Sequence, residues 1–329
     1  MTPSYALVIP TIGRPSLNRL LAALSEGGRL PAGEVIIVDD RPGRPAPLWP
    51  TTGFLSIAGL RSGGRGPAAA RNVGWRAARA DWICFLDDDV VPGRNWCERL
   101  EADLRDAGPD VVGSQARVVV PRPAYRRPFD DERRTLRPAD ARWITADMAY
   151  RRDALTACGG FDERFPRAYR EDADIALRLT KAGGRIIVGT RESAHPIAGR
   201  RLDAGRVLRS VGAQWGNRDA ALMRRKYGHG WRAAIGAGRW RLPLHLIACA
   251  AGMAGILGLL GRRRRLLRAG WPAWLGITAE FALRGIAAGT RSRREAIAMV
   301  ISSVLSPPVV VAQRGRFLTV VNNHHPRNS

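Results

Sequence analysis

Short apolar runs alternate with helical spacing through the first two hundred positions. Ala6-Leu7-Val8-Ile9 is a continuous apolar run closed by Pro10, and Val35-Ile36-Ile37-Val38 is a second, ending on Asp39 and Asp40. Phe54 to Ile57 is a third strand candidate. Trp82 to Leu86 is a fourth, and it ends on Asp87-Asp88-Asp89. Between these runs the period changes. Ser16 is placed to cap a helix whose Leu17, Leu20, Leu21 and Leu24 share one face. Pro67 suits the first turn of a helix reaching Ala80. Asn95 precedes a helix carrying Trp96, Leu100 and Leu104, with Glu98 as its capping-box partner.

Strands that are apolar throughout, in β-α-β-α order, predict a mostly parallel sheet with helices on both faces. Ligands of such sheets bind beyond the carboxyl ends of the strands, and both acidic clusters fall there. Residues 121–142, rich in Pro and Arg, read as a long loop. A helix follows over Glu171 to Leu179, closed by Gly183-Gly184, with Ile175 and Leu179 on its core face and Asp172 directed away from it. Arg185 to Val188 returns to strand.

The last third has a different pattern. Leu242 to Gly261 is 20 residues without a formal charge, enough for a helix of about 30 Å, the thickness of a bilayer core. Arg262-Arg263-Arg264-Arg265 follows at once, as a cytoplasmic flank would. Gly252, Gly255 and Gly258 at three-residue spacing would allow close helix contact. Trp271 to Leu283, with Glu280, and Ala296 to Ala312, with Pro307-Pro308, read as interfacial or re-entrant helices.

Charge sharpens this division. The chain carries +24, with Lys181 and Lys226 its two lysines. Residues 196–329 hold 23 basic and 4 acidic residues, a net of +19, against +5 for residues 1–195. Basic charge beside long apolar runs favours an anionic membrane surface over nucleic acid, and no nucleic-acid partner is expected. Cys84, Cys97, Cys158 and Cys249 have no metal-type or CxxC spacing and read as core residues of a reducing cytosol. The N-terminus carries no basic-then-apolar leader, so secretion is not expected. The division of pattern places one domain at 1–230 and a basic, apolar helical region at 231–329.

Six motifs stand in order over residues 5 to about 200: Ile9-Pro10-Thr11; Val38-Asp39-Asp40; Gly66-Pro67 running to Arg71-Asn72-Val73-Gly74; Phe85-Leu86-Asp87-Asp88-Asp89; Gly159-Gly160-Phe161-Asp162-Glu163; and Glu171-Asp172-Ala173-Asp174. Any one is weak, but six at these spacings resemble the inverting family 2 glycosyltransferases of bacteria. The resemblance implies a GT-A fold, a Rossmann-like α/β domain, and transfer of a sugar from a nucleotide-diphosphate donor. The acceptor would be a hydroxyl of a glycan, or a lipid-linked or other cell-envelope molecule, met at the cytoplasmic face of the cell membrane.

Residue roles follow from the same resemblance. Pro10, Thr11, Asp39, Asp40, Arg71, Asp87 and Asp88 would line the nucleotide, Asp40 at the base and Arg71 at the base edge or the diphosphate. Asp89, with Asp87 and His195, would hold Mn²⁺ or Mg²⁺, hard cations that use few protein carboxylates beside phosphate oxygens. Asp88 lies between two metal-side acids and would point elsewhere. Asp172 would be the base that takes the acceptor proton, supported by Glu171. Trp143 and Asp147 fall where relatives shape the sugar pocket, Asp147 replacing a common Asn.

Plainer readings stand beside these: Arg71 as a surface arginine, His195 as a loop residue, Glu171 and Asp172 as acids favouring a helix N-terminus. Transfer onto a polyprenyl phosphate and nucleotidyl transfer are the rival chemistries. Gly64-Arg65-Gly66 imitates a dinucleotide fingerprint but follows the third strand candidate, not the first.

Overall fold

The computed structural model describes residues 3–26, 33–43, 46, 48, 57–121, 143–196, 217–237, 242–289 and 292–322. They fall in two compact units. The first lies within Met1–Pro121, Leu136–Ile197 and Ala233–Gly236, the second within Arg122–Thr135, Ala198–Arg232 and Ala237–Ser329.

The first unit is built on β1 (Tyr5–Thr11), β2 (Glu34–Asp39), β3 (Ile57–Arg61), β4 (Trp82–Leu86), β5 (Val91–Pro92), β6 (Val111–Val119), β7 (Asp147–Arg151) and β8 (Arg185–Ala194). They form one sheet in the order β3-β2-β1-β4-β7-β6-β8-β5. The pairs β1–β2, β1–β4, β2–β3 and β6–β8 are parallel; β7 is antiparallel to both its neighbours, and β5 to β8.

Helices α1 (Ser16–Glu26) and α3 (Trp96–Arg105) bury Leu17, Leu20, Leu24, Trp96, Leu100 and Leu104 on one face of the sheet. On the other lie α2 (Pro67–Ala77), α4 (Arg152–Cys158) and α5 (Glu171–Lys181), meeting Val8, Val38, Phe85 and Tyr150. This is the expected α/β arrangement. Helix α2 sits so close to β1 that a Cβ on Gly74 would lie 2.3 Å from Val8 Cγ1.

Several expectations need correction. Pro10 does not end β1, which runs to Thr11. Strand β4 pairs with β1 only as far as Val8, so Pro10 sits where one side of the strand is already without a partner. Neither predicted cap forms: Ser16 Oγ is buried without a hydrogen bond, and Asn95 makes no side-chain cap. Helix α2 stops at Ala77, because Ala78 turns extended toward β4. Strand β8 continues six residues beyond Val188, with Gly189, Arg191 and Ser193 buried in alternation. Strands β6 and β7 have no counterpart in the apolar-run reading. The third strand spans Ile57–Arg61, Phe54 to Ser56 lying outside the described residues, as does the loop at 122–142.

The second unit contains α6 (Asn217–Tyr227), α8 (Leu242–Leu260), α9 (Arg264–Ala288) and α10 (Arg293–Asn322); the short α7 (Trp231–Ala234) lies at the boundary. The leading apolar run is α8 almost to the residue. The two weaker ones are stretches of longer helices, and α10 passes through Pro307-Pro308. Two segments, Leu242–Leu260 and Arg293–Ala312, are long and apolar enough to cross a membrane. The glycine stripe of α8 is a contact seam: a Cβ on Gly252 would lie 3.0 Å from Trp274, and one on Gly255 3.1 Å from Trp271.

Candidate active site

The carboxyl ends of β1, β2 and β4 bring Thr11, Asp39, Asp40 and Asp87-Asp88-Asp89 to one rim. Pro10 and Thr11 close β1. Thr11 Oγ1 accepts the Gly13 N–H at 3.0 Å and donates to Asp88 Oδ2 at 2.6 Å. Arg14 reaches over from the same turn, its Nη1 3.1 Å from both Asp88 Oδ1 and Asp89 Oδ2. Asp88 is therefore a buried strut between β1 and β4, and burial raises its carboxyl pKa. Sequence reasoning passed over Arg14, whose signal was its place three residues after Thr11.

On β2 the two acids part. Asp39 is gripped by Arg41 through Nε at 3.0 Å and Nη2 at 2.8 Å, and by the Arg41 N–H. These bonds hold its pKa below the usual carboxylate value. Asp40 accepts from Ser62 Oγ at 2.6 Å and from the Gly66 N–H at 2.9 Å, pinning the glycine turn before α2. Each Asp40 oxygen thus has a protein donor. Gly66 is required there: its φ is 98°, and a Cβ would lie 2.5 Å from Pro166 O.

Arg71 is not on the surface. It is 2% exposed, with Nη2 2.8 Å from Asp87 Oδ1 and Nη1 2.9 Å from Glu171 Oε1. One guanidinium thus joins the end of β4 to the start of α5, as a planar fork with several donors can. Its neighbour Asn72 clasps the Gly159-Gly160 turn. Nδ2 donates to Phe161 O and Glu163 Oε1, while Oδ1 accepts from Phe161 N–H and Trp75 Nε1. A Cβ on Gly160 (φ 75°) would lie 2.6 Å from that Oδ1.

Helix α5 opens on Glu171 and Asp172 after Arg170, which holds a φ of 78°. Burial first, then the charge of Asp172, push Glu171 up to about 8 against the pull of Arg71. Burial also raises Asp172, whose Oδ1 accepts the Ala173 N–H at 2.7 Å. A helix N-terminus alone would lower both acids, so the dipole does not account for them. The third acid, Asp174, is structural: it pairs with Arg178, which also binds the carbonyls of Cys158 and Gly160.

Strand β8 delivers His195 to the rim. Its N–H donates to Val119 O at 2.8 Å, and its Nε2 lies 3.3 Å from Asp89 Oδ1. Burial opposes its protonation, but the bond to Asp89 together with the charges of Asp89 and Asp87 raises its pKa. Burial likewise works against the Asp89 anion, and His195 outweighs it, lowering the Asp89 pKa. Of the expected metal trio, Asp89 and His195 are adjacent while Asp87 is turned to Arg71. Among the described residues no three His, Cys, Asp or Glu side chains gather as a metal cluster. An oxygen and an imidazole donor side by side nevertheless suit a Mn²⁺-type ion, and His195 Nδ1 is buried without a partner.

Asp147 does not line a sugar pocket. It is fully buried, 2.8 Å from Arg191 Nε and bonded by Trp96 Nε1 and Ser193 Oγ. Arg191 in turn meets Asp103 and Ser114. A carboxylate at 147 therefore serves a buried ion pair on the α3 face. Trp143 is half-buried with φ 61°.

Residues 6–158 match the family model described as Glycosyl transferase family 2. The chain is 32% identical over 133 residues to the pre-mycofactocin glycosyltransferase of two Mycobacterium tuberculosis strains, covering 37% of this chain and 28% of that protein. It is 26% identical over 236 residues to the O-antigen biosynthesis protein RfbC of Myxococcus xanthus, covering 62% of this chain and 18% of that one. The alignments thus span less than a third of either relative. The solved structure of S. aureus TarS aligns with a TM-score of 0.45 at 14% identity, over 94% of this chain and 55% of that chain.

Proposed function

We propose that this chain, whose residues 6–158 match the Glycosyl transferase family 2 model, is an inverting, metal-dependent glycosyltransferase acting at the cytoplasmic face of the cell membrane. The donor is a nucleotide-diphosphate sugar, and the acceptor a hydroxyl of a cell-envelope or lipid-linked glycan. The observation that carries this reading is Arg71, which ties the donor-side acid Asp87 to the acid pair Glu171-Asp172 through two hydrogen bonds below 3 Å.

In this reading the rim of β1, β2 and β4 receives the nucleotide. Asp89 and His195 would hold Mn²⁺ or Mg²⁺, with Asp87 on the same strand end, to neutralise the leaving diphosphate. Asp172 accepts the proton of the acceptor hydroxyl as oxygen attacks the anomeric carbon from the side opposite the nucleotide. Its raised pKa suits a base that must hold a proton after transfer. Glu171, clamped by Arg71, fixes the first turn of α5 and hence the direction of Asp172. The basic C-terminal charge and the two long apolar helices support the membrane location.

The test is a panel of sugar nucleotides with purified protein, with and without Mn²⁺, read by thermal shift and by release of nucleoside diphosphate. Metal-dependent stabilisation by one donor, lost in Asp89→Ala, is expected. No binding of any nucleotide under any metal condition would remove the reading. Release of pyrophosphate would instead mark a nucleotidyltransferase. Full activity in Asp172→Asn would point to an acceptor that is already anionic, such as a polyprenyl phosphate.

A further inference from the structure

Helices α8 and α9 form an antiparallel hairpin in contact along its whole length. A Cβ on Gly258 would lie 2.6 Å from Leu267 N, and one on Gly270 2.4 Å from Gly255 N. Further along, Gly252 faces Trp274, and the rings of His245 and Phe281 lie 4.9 Å apart. The two helices therefore enter any apolar phase together, although α9 is not among the helices apolar enough to span by itself.

The tip of the hairpin is strongly basic. Helix α8 ends in a tight turn in which Arg263 N–H donates to Gly258 O and Arg262 takes a φ of 50°. Left-handed backbone at a helix end favours glycine, yet an arginine stands there. Arg262 to Arg265 and Arg268 are all exposed. The opposite end is charged as well, with the Glu280–Arg284 pair on α9 and exposed Arg293 and Arg294 at the start of α10. Between the ends, α8 presents Leu246, Ile247, Met253, Ile256, Leu257 and Leu260 to the outside.

Three placements compete. Burial speaks against a soluble core, since α8 leaves its large apolar side chains exposed among the described residues. A crossing would carry five arginines to the far side of the membrane, against the bias that keeps arginine on the cytoplasmic side. Insertion from one side satisfies both ends, with arginines on anionic head groups and leucines among the upper acyl chains.

We infer that the α8–α9 hairpin is a one-sided membrane anchor: it embeds in one leaflet of an anionic bilayer and returns, its arginine tip staying on the side of the first unit. The inference rests on the proposed cytoplasmic location both for which side that is and for the arginine bias that disfavours a crossing. In the full chain in cell membranes, Arg263→Cys and Ala77→Cys, one at the tip and one on exposed α2 surface, are labelled separately with a membrane-impermeant maleimide. Spheroplasts are compared with inside-out vesicles, and the unsubstituted chain supplies the background. Both positions labelling in the same preparation is the expected result, and labelling on opposite sides overturns the anchor in favour of a span. If both label only in spheroplasts, the anchor stands and the cytoplasmic reading falls. Purified chain should bind phosphatidylglycerol-rich vesicles at least tenfold more tightly than phosphatidylcholine vesicles, and equal or absent binding overturns the inference as well.

Discussion

Asn72 holds Phe161 by both backbone groups: Nδ2 lies 2.8 Å from the Phe161 carbonyl, and Oδ1 2.9 Å from its N–H. One side-chain amide thereby does for the Gly159-Gly160 turn what a neighbouring strand would do. The turn fixes the approach to α5, so the clasp reaches from α2 to the acid pair without touching it.

Asn72→Ala leaves the Phe161 N–H and carbonyl and the Trp75 indole N–H buried without partners. Each orphaned group costs about 1–3 kcal/mol. A loss of about 3 kcal/mol or more is expected in chemical denaturation, and a change within about 0.5 kcal/mol would contradict the clasp. Gly160→Ala should cost about 1–3 kcal/mol for its left-handed backbone alone.

Arg71→Lys keeps the charge but cannot fork between Asp87 and Glu171. Activity should fall roughly 100-fold or more, the scale of a misplaced catalytic group, while the fold survives. Arg71→Met removes both hydrogen bonds that tie β4 to α5 and leaves Glu171 buried without its donor, at about 1–3 kcal/mol for each orphaned group. Denaturation curves of the two variants separate the effects. Equal stability in both would mean that the buried pair is not formed.

In the proposed role Asp172 must be ionised to accept a proton. Its folded-state pKa is raised, as is that of Glu171. Activity is therefore present above the pair's raised pKa and is lost as pH falls through it. The acid limb of kcat/KM should lie well above the ~4 of an ordinary carboxylate. Asp172→Asn should remove about 10²- to 10⁴-fold of the rate. A limb near pH 4 in the unsubstituted protein would contradict the assignment.

Asp147→Asn removes one of two carboxylates facing buried Arg191. A stability loss of about 3 kcal/mol is expected, with donor preference unchanged. A switch of donor sugar at undiminished stability would restore Asp147 to the pocket.

How far the sequence could be read depended on what each strand buries. β1, β2 and β4 are apolar on both faces, so their runs and the acids that end them stood out. β8 turns polar after Val188 because Arg191 and Ser193 are buried against carboxylates rather than against hydrocarbon. A hydropathy pattern has no signal for that, and β6 and β7, with Ser114, Gln115 and Asp147 among their residues, were hidden in the same way. The motif acids were legible as a set, but not their division of labour. Asp40 is engaged by Ser62 and Gly66, partners brought close by folding, whereas the Asp174–Arg178 pair is an i,i+4 spacing that the sequence did carry.

Gly74 makes its contribution by what it lacks. Because no methyl group separates α2 from Val8, the helix beds directly on β1, and Arg71, one turn earlier, is carried down to the level of the strand ends. The position of Arg71 against the strand ends is thus a packing dimension, set one turn further along the same buried face of α2. A single added carbon there would work as a wedge, lifting Arg71 and Asn72 together and slackening their holds on Asp87, Glu171 and Phe161 at once.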